Sequence, residues 1–293
     1  MSGINPGVFL AVCRTLVDFR DGIGNLKSIS GTGFWVRNGE NDCFVTNRHN
    51  VDPTLKLGEA TRFRLERVRL QLRLQITPGN WRPDTSFVAV DNLETCLRLH
   101  PSADVAVLNN PSLPSDNPLL GHSTFNLGEL GTQQFLLESV HPMDVASFVG
   151  FPGKDGKAWW DKKWNLPISR TVQIASWPRI AFTNDSIPTT DVLLVSGLSF
   201  SGSSGSPVIS HEKGIRLGPG LSGGSYVEPT ILGIMSGHWW DEEPEEGMFF
   251  HSGLSYLTRV TSIRELLDAK TWVALLSKAS FGASTLNGGK HVT

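Results

Sequence analysis

Cysteine is scarce in this chain: only Cys13, Cys43 and Cys96 occur among its 293 residues. A set so sparse, and odd in number, cannot form the paired framework that staples small secreted proteins. We therefore expect three buried thiols and no disulfide framework.

Long apolar runs are missing as well. No stretch approaches the roughly 18 consecutive apolar residues that a membrane-spanning helix needs. The first ten residues carry no basic region ahead of their short apolar segment, which argues against a secretory signal. These two absences predict a cytoplasmic protein that does not bind membranes.

Neither sign of charge is in clear excess: the chain has 26 Lys and Arg residues and 28 Asp and Glu residues, for a formal net charge of −2. Such a balance gives no general attraction to nucleic acid, so that class of partner is not expected. The arginines of residues 62–76 are interpreted as a solvated strand face. The acidic run 241–246 lies between His238 and His251, but its spacing is irregular, which indicates a solvated loop and no metal. No cofactor is predicted.

Glycine and proline are plentiful, with 30 and 17 copies, and they separate many short apolar runs. This pattern is typical of an all-β protein with numerous turns. Strands are predicted at 8–12 and 33–36. A long strand is predicted over 62–76, where the alternation changes phase at Glu66 and Arg67 and indicates a β-bulge. Residues 262–279 have the periodicity of a closing helix.

Two further segments have a predicted role in the organisation of the chain. Residues 111–131 are interpreted as a connection between two halves. Residues 159–164 form an aromatic-rich loop that docks either on the protein itself or on a partner.

The clearest chemical signal is a serine in the sequence Gly-Ser-Ser-Gly-Ser-Pro that begins at Gly202. A hydroxyl becomes a nucleophile near neutral pH only beside a base, and the base needs an acceptor that holds its tautomer. His49 is the candidate base and Asp104, at the start of an apolar strand, is the candidate acceptor. Ser204 is preferred as nucleophile because glycines lie two before and one after it. Asp91 is the alternative acid.

The order of these residues separates candidate folds. An α/β-hydrolase runs Ser, Asp, His, with its serine in Gly-x-Ser-x-Gly, whereas here the residue two after Ser204 is Ser206 and the histidine comes first. The order His, Asp, Ser matches the chymotrypsin arrangement. The chain resembles the trypsin-like serine proteases of the chymotrypsin clan, in the form of intracellular bacterial peptidase domains without disulfides. Besides the residues around Asp104 and Ser204, the resemblance rests on five segments: Gly31–Val36, Cys43–His49, Val149–Pro152, Leu232–Gly237 and Tyr256–Val260.

This resemblance, from about Gly31 to Val260, implies two antiparallel six-stranded β-barrels with a C-terminal helix. The first barrel would span residues 1–125 and carry His49 and Asp104. The second would span 126–293 and carry Ser204. The implied activity is that of a serine endopeptidase, a hydrolase that cleaves peptide bonds through an acyl-enzyme.

The resemblance also implies further site residues. Backbone N–H groups of Gly202 and Ser204 would form the oxyanion hole. Leu198, six residues before the nucleophile, would lie at the base of the primary pocket. The pocket walls would come from Ser236, Gly237, His238 and Ser255. With no acid at its base, this pocket is expected to take an apolar or small side chain and to disfavour Lys and Arg.

One departure from the trypsin pattern concerns activation. Ser203 stands where the resemblance would place an aspartate that pairs with a newly cut N-terminal amine, and no activation site occurs near the N-terminus. We expect control by loop ordering or a regulatory protein partner. A catalytically silent relative that binds peptides in the same cleft is an alternative, and an esterase is another.

Overall fold

β-Strands dominate the computed structural model, as the turn-rich sequence predicts. It describes residues 7–57, 61–77, 80–114, 116–117, 120–154, 157–185, 187, 189–214, 226–243, 248–268 and 270–272. All three cysteines are buried and free, as expected. Among the described residues, no helix combines the length and the apolar character needed to cross a membrane.

The first half forms a nine-stranded sheet. Its strands are β1 Val12–Arg20, β2 Leu26–Asn38, β3 Asn41–Thr46, β4 Arg64–Thr77, β5 Asn80–Ala89, β6 Leu97–Leu99, β7 Ala106–Asn109, β8 Leu120–Gly121 and β9 Phe125–Asn126. The main path runs β5-β4-β1-β2-β3-β7-β6, with β8 added to β4 and β9 added to β2. The prediction of a six-stranded barrel is not confirmed here: in the described part of the chain, the end strands β5 and β6 do not pair with each other.

The second half contains a closed barrel in the order β10-β13-β14-β19-β18-β15. These strands are β10 Val145–Gly150, β13 Ile168–Ile174, β14 Val192–Ser196, β15 Pro207–Ser210, β18 Ile231–Glu243 and β19 Met248–Arg259. Two small ribbons pair β11 Gly153–Lys154 with β12 Lys157–Ala158 and β16 Lys213–Gly214 with β17 Tyr226–Val227. The six strands predicted for this half are therefore found.

Short helices complete the described structure. They are α1 Val8–Ala11, α2 Pro53–Leu57, α3 Leu93–Cys96, α4 Gln133–Glu138 and α5 Val260–Leu267, with 3₁₀ turns at Arg48–Asn50 and Leu127–Glu129. The segment 8–12 was predicted as a strand, and this is wrong for Val8–Ala11, whereas Val12 begins β1. The amides of Leu10 and Ala11 both donate to the Gly7 carbonyl and close a helical turn, and a short apolar run does not distinguish the two conformations.

The closing helix α5 packs back on the first half of the chain. Its buried residues include Ile263 and Leu266, and Arg98 Nη1 donates to the Leu266 carbonyl at 2.8 Å. α5 ends at Leu267, where Asp268 takes an extended conformation, and residues 270–272 of the predicted range 262–279 are helical again. Residues after 272 lie outside the described part.

The predicted bulge in the long strand β4 is confirmed. Asp18 pairs with Arg67 and the next residue, Phe19, pairs with Leu65, so Glu66 is the extra residue. The arginines of this strand were expected to be exposed to solvent, but Arg73 is buried. Its side chain is only 1% exposed, and its guanidinium donates to the Asn165 carbonyl at 3.1 Å.

Gly205 joins the two halves where they meet. Its amide donates to the Met235 carbonyl at 2.9 Å, its φ is +90°, and a Cβ there would lie 1.9 Å from the Thr32 carbonyl oxygen. We expect Gly205→Ala to lower the free energy of unfolding by at least about 3 kcal/mol, because it adds a clash to an unfavourable φ. Denaturant unfolding would measure this loss.

The matched control is Gly22→Ala. No atom lies within 4 Å of a Cβ built at Gly22, so we expect a change within about 0.5 kcal/mol. Equal stability of the two variants would contradict this account of the junction.

Candidate active site

His49 and Asp104 are held together by two contacts. The His49 amide donates to Asp104 Oδ1 at 2.9 Å, and His49 Nδ1 lies 2.7 Å from Asp104 Oδ2. The two side chains are 12% and 5% exposed. Because an ionised carboxylate only accepts hydrogen bonds, Nδ1 carries a proton, and in the neutral form of the ring the lone pair is on Nε2.

Local structure explains this pairing. β3 ends at Thr46, and the 3₁₀ turn Arg48–Asn50 that follows turns the chain at His49. Asn47, which sequence reasoning did not single out, is fully buried, and its Nδ2 donates to the Asp104 carbonyl at 2.7 Å and to Ser236 Oγ at 2.8 Å. The sequence feature that could have indicated Asn47 is its position immediately before Arg48 and the candidate base His49. The alternative acid, Asp91, is exposed.

The main chain of Ser204 is bonded directly to the first half. Its carbonyl accepts from the Thr32 amide at 2.9 Å and from Asn50 Nδ2 at 3.2 Å. Since Asn50 follows His49, one short segment positions both residues. In the described part of the chain, no hydrogen bond joins His49 Nε2 to Ser204 Oγ, and such contacts are often longer without substrate.

The three side chains share one cavity of about 860 Å³. His49, Asp104 and Ser204 all line it, as do Gly202, Ser236, Gly237 and His238. The aromatic loop docks on the protein itself at this cavity: Trp159 packs edge-on against Phe200, and Trp160 against Phe151. The cavity therefore lies at the junction of the sheet and the barrel.

Hydrogen bonds to the carbonyls of Ser201 and Ser203 fix the orientation of the peptide units that contain the N–H groups of Gly202 and Ser204. The Ser201 carbonyl accepts from the Gly153 amide at 2.8 Å, and the Ser203 carbonyl accepts from the Ser206 amide at 3.0 Å. In a trans peptide the N–H points opposite to the C=O. The N–H groups of Gly202 and Ser204 thus point away from these bonds, and neither has an acceptor among the described residues.

Gly202 is required by this geometry. Its φ is +87°, and a Cβ would lie 2.5 Å from the Phe151 carbonyl oxygen. Its own carbonyl accepts from Thr32 Oγ1 at 2.7 Å, which fixes the loop on the first half. Two oriented N–H donors beside a hydroxyl can stabilise negative charge on a substrate oxygen.

The residue expected at the base of the primary pocket lies outside the cavity lining. Leu198 is 50% exposed and does not line the cavity, whereas the next residue, Ser199, is buried and does. Side chains of adjacent residues in an extended chain point to opposite sides. A shift of one residue from the expected position therefore brings Ser199 to the cavity and turns Leu198 away from it. Ser255 is also buried, and its hydroxyl lies behind Ser199, 3.0 Å from the Ser199 hydroxyl.

Two histidines stand beside Ser199. The rings of His238 and His251 stack with centroids 4.6 Å apart, and His238 Nδ1 lies 3.1 Å from Ser199 Oγ. Burial, together with repulsion from His251, lowers the pKa of His238 to about 4. Burial also lowers the pKa of His251. The acidic side chains of 241–246, which the sequence places near these rings, lie outside the described residues.

The titration of His238 is directly measurable. We expect its imidazole resonances in a proton NMR titration to give a pKa of about 4. The unfolded chain protonates His238 near pH 6.5, whereas the folded chain does so only near pH 4. The free energy of unfolding therefore falls, through His238, as the pH falls from 6.5 towards 4. A measured pKa at or above 6.5 would contradict the described environment.

Comparisons with known proteins give a weak likeness. No protein-family model matches the chain, and no curated protein matches it. The chain is similar in structure to the serine endoprotease from Yersinia pestis, with 12% sequence identity and a TM-score of 0.43 over 95% of this chain and 69% of that one. A TM-score this low does not establish a shared fold, so we base the functional proposal on the geometry of the cavity.

Proposed function

We propose that the protein is a serine endopeptidase. Ser204 attacks the carbonyl carbon of a peptide bond, and His49 Nε2 takes the hydroxyl proton. Asp104 orients the imidazole and stabilises the imidazolium that forms. The observation that carries this proposal is the double contact of Asp104 with His49, beside a Ser204 backbone that is bonded to Asn50.

The remaining steps follow from the same groups. Negative charge develops on the carbonyl oxygen and is stabilised by the N–H groups of Gly202 and Ser204. The imidazolium then gives its proton to the leaving amine, the C–N bond breaks, and an acyl-enzyme remains on Ser204. Water, activated by His49, attacks the acyl group and restores the hydroxyl.

Control by a partner protein or by loop ordering belongs to the proposal. Ser203 is 1% exposed, and its Oγ has no hydrogen-bond partner among the described residues. A hydroxyl there cannot form an ion pair with a new N-terminal amine, which removes the usual reason for zymogen cleavage. We place this activity in the cytoplasm, where three unbridged thiols stay reduced.

Covalent labelling with a fluorophosphonate tests the proposal. The reagent reacts with an activated serine, so we expect one adduct on the wild-type protein, located at Ser204 by peptide mass spectrometry. Ser204→Ala should lose the adduct, while Ser203→Ala, which removes the neighbouring buried hydroxyl, should keep it.

The second candidate is a silent peptide-binding module. It is favoured by the absence, in the described part, of a hydrogen bond between His49 and Ser204. Peptide binding without any fluorophosphonate adduct on the wild-type chain would support this module and refute the endopeptidase.

A further inference from the structure

Two cations line the cavity without a carboxylate beside them. Arg14 and Lys157 both contribute to the lining, and the one acidic side chain among its described residues is Asp104. Asp104 is not available to them, because both its oxygens are engaged by His49. In the described part of the chain, neither cation forms an ion pair. We call the part of the cavity that Arg14 and Lys157 line its basic end.

The Arg14 guanidinium is held in place by contacts that leave two of its nitrogens unused. Nε donates to Ser30 Oγ at 2.8 Å. The guanidinium carbon lies 4.7 Å from the ring centroid of Trp160 and 5.6 Å from that of Phe87. Contacts with ring faces consume no N–H donors. The terminal nitrogens Nη1 and Nη2 therefore keep their donors, and neither has an acceptor in the part of the chain that the structure describes.

The charge of Arg14 is not compensated by its own surroundings. Burial lowers the pKa of the guanidinium, although an arginine stays charged at neutral pH. Asp18, on the same strand, is already engaged by Ser28 at 2.6 Å and by Arg69 at 3.0 Å. A carboxylate that enters the cavity would therefore meet two parallel donors on a cation that still lacks a counter-ion.

The loop from Ser199 to Gly202 runs along the cavity lining. Ser199 marks the side that is expected to take the residue before the scissile bond. At the other end of the loop, the Gly202 carbonyl accepts from Thr32 Oγ1 at 2.7 Å, and Thr32 pairs with Arg14 across β1 and β2. A substrate whose carbonyl oxygen lies at the oxyanion hole thus has its acyl part towards Ser199 and its leaving amine towards the basic end.

The ribbon β11–β12 brings Lys157 to the same end. The amide of Gly153, at the start of β11, donates to the Ser201 carbonyl at 2.8 Å, and Lys157 begins β12. Lys157 is exposed and lies shortly before Trp160, whose ring contacts the Arg14 guanidinium. Both positive charges therefore lie on the leaving-group side of the cavity.

We propose that the basic end binds a carboxylate in the substrate segment that follows the scissile bond, with Arg14 as the specificity-determining residue and Lys157 as a weaker contributor. This assignment rests on the proposed function. It places the carboxylate within the first three residues after the cleaved bond, on an acidic side chain or at a chain terminus. A lysine or arginine at the same place would be repelled.

Peptides that mimic the leaving amine test the assignment without catalysis. Tripeptide amides of alanine carry Glu at the first, second or third position, and each has a Gln counterpart of the same shape. They are titrated into Ser204→Ala at pH 7, with the Arg14 Nε–H and Trp160 indole N–H resonances as NMR reporters. At one position or more, we expect Glu to bind at least about tenfold more tightly than Gln. Trialanine as free acid and as amide reports the chain terminus as the source of the carboxylate.

Three variants and one control identify the cation. In the Ser204→Ala background, Arg14→Gln should bring each carboxylate peptide within about threefold of its neutral counterpart, because only the exposed charge of Lys157 remains. Arg14→Lys keeps the charge but not the paired donors, so the advantage should fall partway, and it serves if Arg14→Gln does not fold. Lys157→Gln should lower the advantage by no more than about fivefold. The control Arg20→Gln removes the same charge from the same strand, where Arg20 is paired with Glu66, and should change nothing.

The outcomes separate the two proposals. A carboxylate preference that Arg14→Gln abolishes and Arg20→Gln keeps supports the assignment. Equal or weaker binding of the carboxylate peptides, binding of no peptide, or a preference that the Arg14 variants leave unchanged overturns it. Because these titrations need no nucleophile, failure of the endopeptidase proposal is recognised separately, by a missing fluorophosphonate adduct on the wild-type chain.

Discussion

Ser204→Ala and His49→Ala are each expected to reduce kcat for peptide hydrolysis by a factor on the order of 10⁶, and the double variant should lose little more. The two side chains act in one step, since the base has no proton to take without the hydroxyl. The measurement is kcat and KM of the wild type, the two single variants and the double variant on one peptide substrate. KM should change far less than kcat, because neither group is needed to hold the substrate.

Ser203→Ala is the matched control for these variants. Ser203 precedes the nucleophile, but its hydroxyl is buried, so its removal should leave kcat close to the wild-type value. Additive losses in the double variant, or an equal loss in Ser203→Ala, would show that Ser204 and His49 do not act as a unit.

Asp104→Asn is expected to lower kcat by a factor on the order of 10⁴. The His49 amide needs an acceptor at the position of Asp104 Oδ1, so the asparagine oxygen takes that place. Its NH₂ group then faces His49 Nδ1, where the carboxylate oxygen lay at 2.7 Å. Nδ1 must become the acceptor, the proton moves to Nε2, and the imidazole can no longer act as a base towards Ser204.

A spectroscopic measurement distinguishes this cause from loss of structure. ¹⁵N NMR of the His49 ring should report the Nδ1–H tautomer in the wild-type protein and the Nε2–H tautomer in Asp104→Asn. Asp91→Asn, which changes the exposed acid upstream, should alter neither the tautomer nor kcat. A large loss of kcat with an unchanged tautomer would contradict the role given to Asp104.

Sequence patterns are most informative where the chemistry is local. The bulge at Glu66 follows from a change of phase within one strand, and the paired structure has the extra residue there. The glycine at position 202 precedes a serine-rich turn, and its φ of +87° is the conformation that glycine tolerates best. His49, Asp104 and Ser204 could be singled out from short motifs, and the structure places all three in one cavity wall.

Features that depend on distant pairing could not be predicted in this way. Whether β5 and β6 close the first sheet is decided by strand pairing across the whole half, which periodicity does not encode. Burial of Arg73 depends on the Asn165 carbonyl, 92 residues away. Ser199 lines the cavity where Leu198 was expected, a difference of one residue. Only the path of the backbone after Gly197 decides which of the two side chains faces the cavity.

The acyl-enzyme on Ser204 is the most direct test of the central claim. An activated ester is mixed with the wild-type protein, the reaction is stopped with acid within milliseconds, and the intact mass and peptide map are measured. We predict a mass increase equal to the acyl group, located on Ser204 and absent from Ser204→Ala. Turnover of the ester with no acyl group on Ser204, or with the acyl group on another residue, would contradict the account.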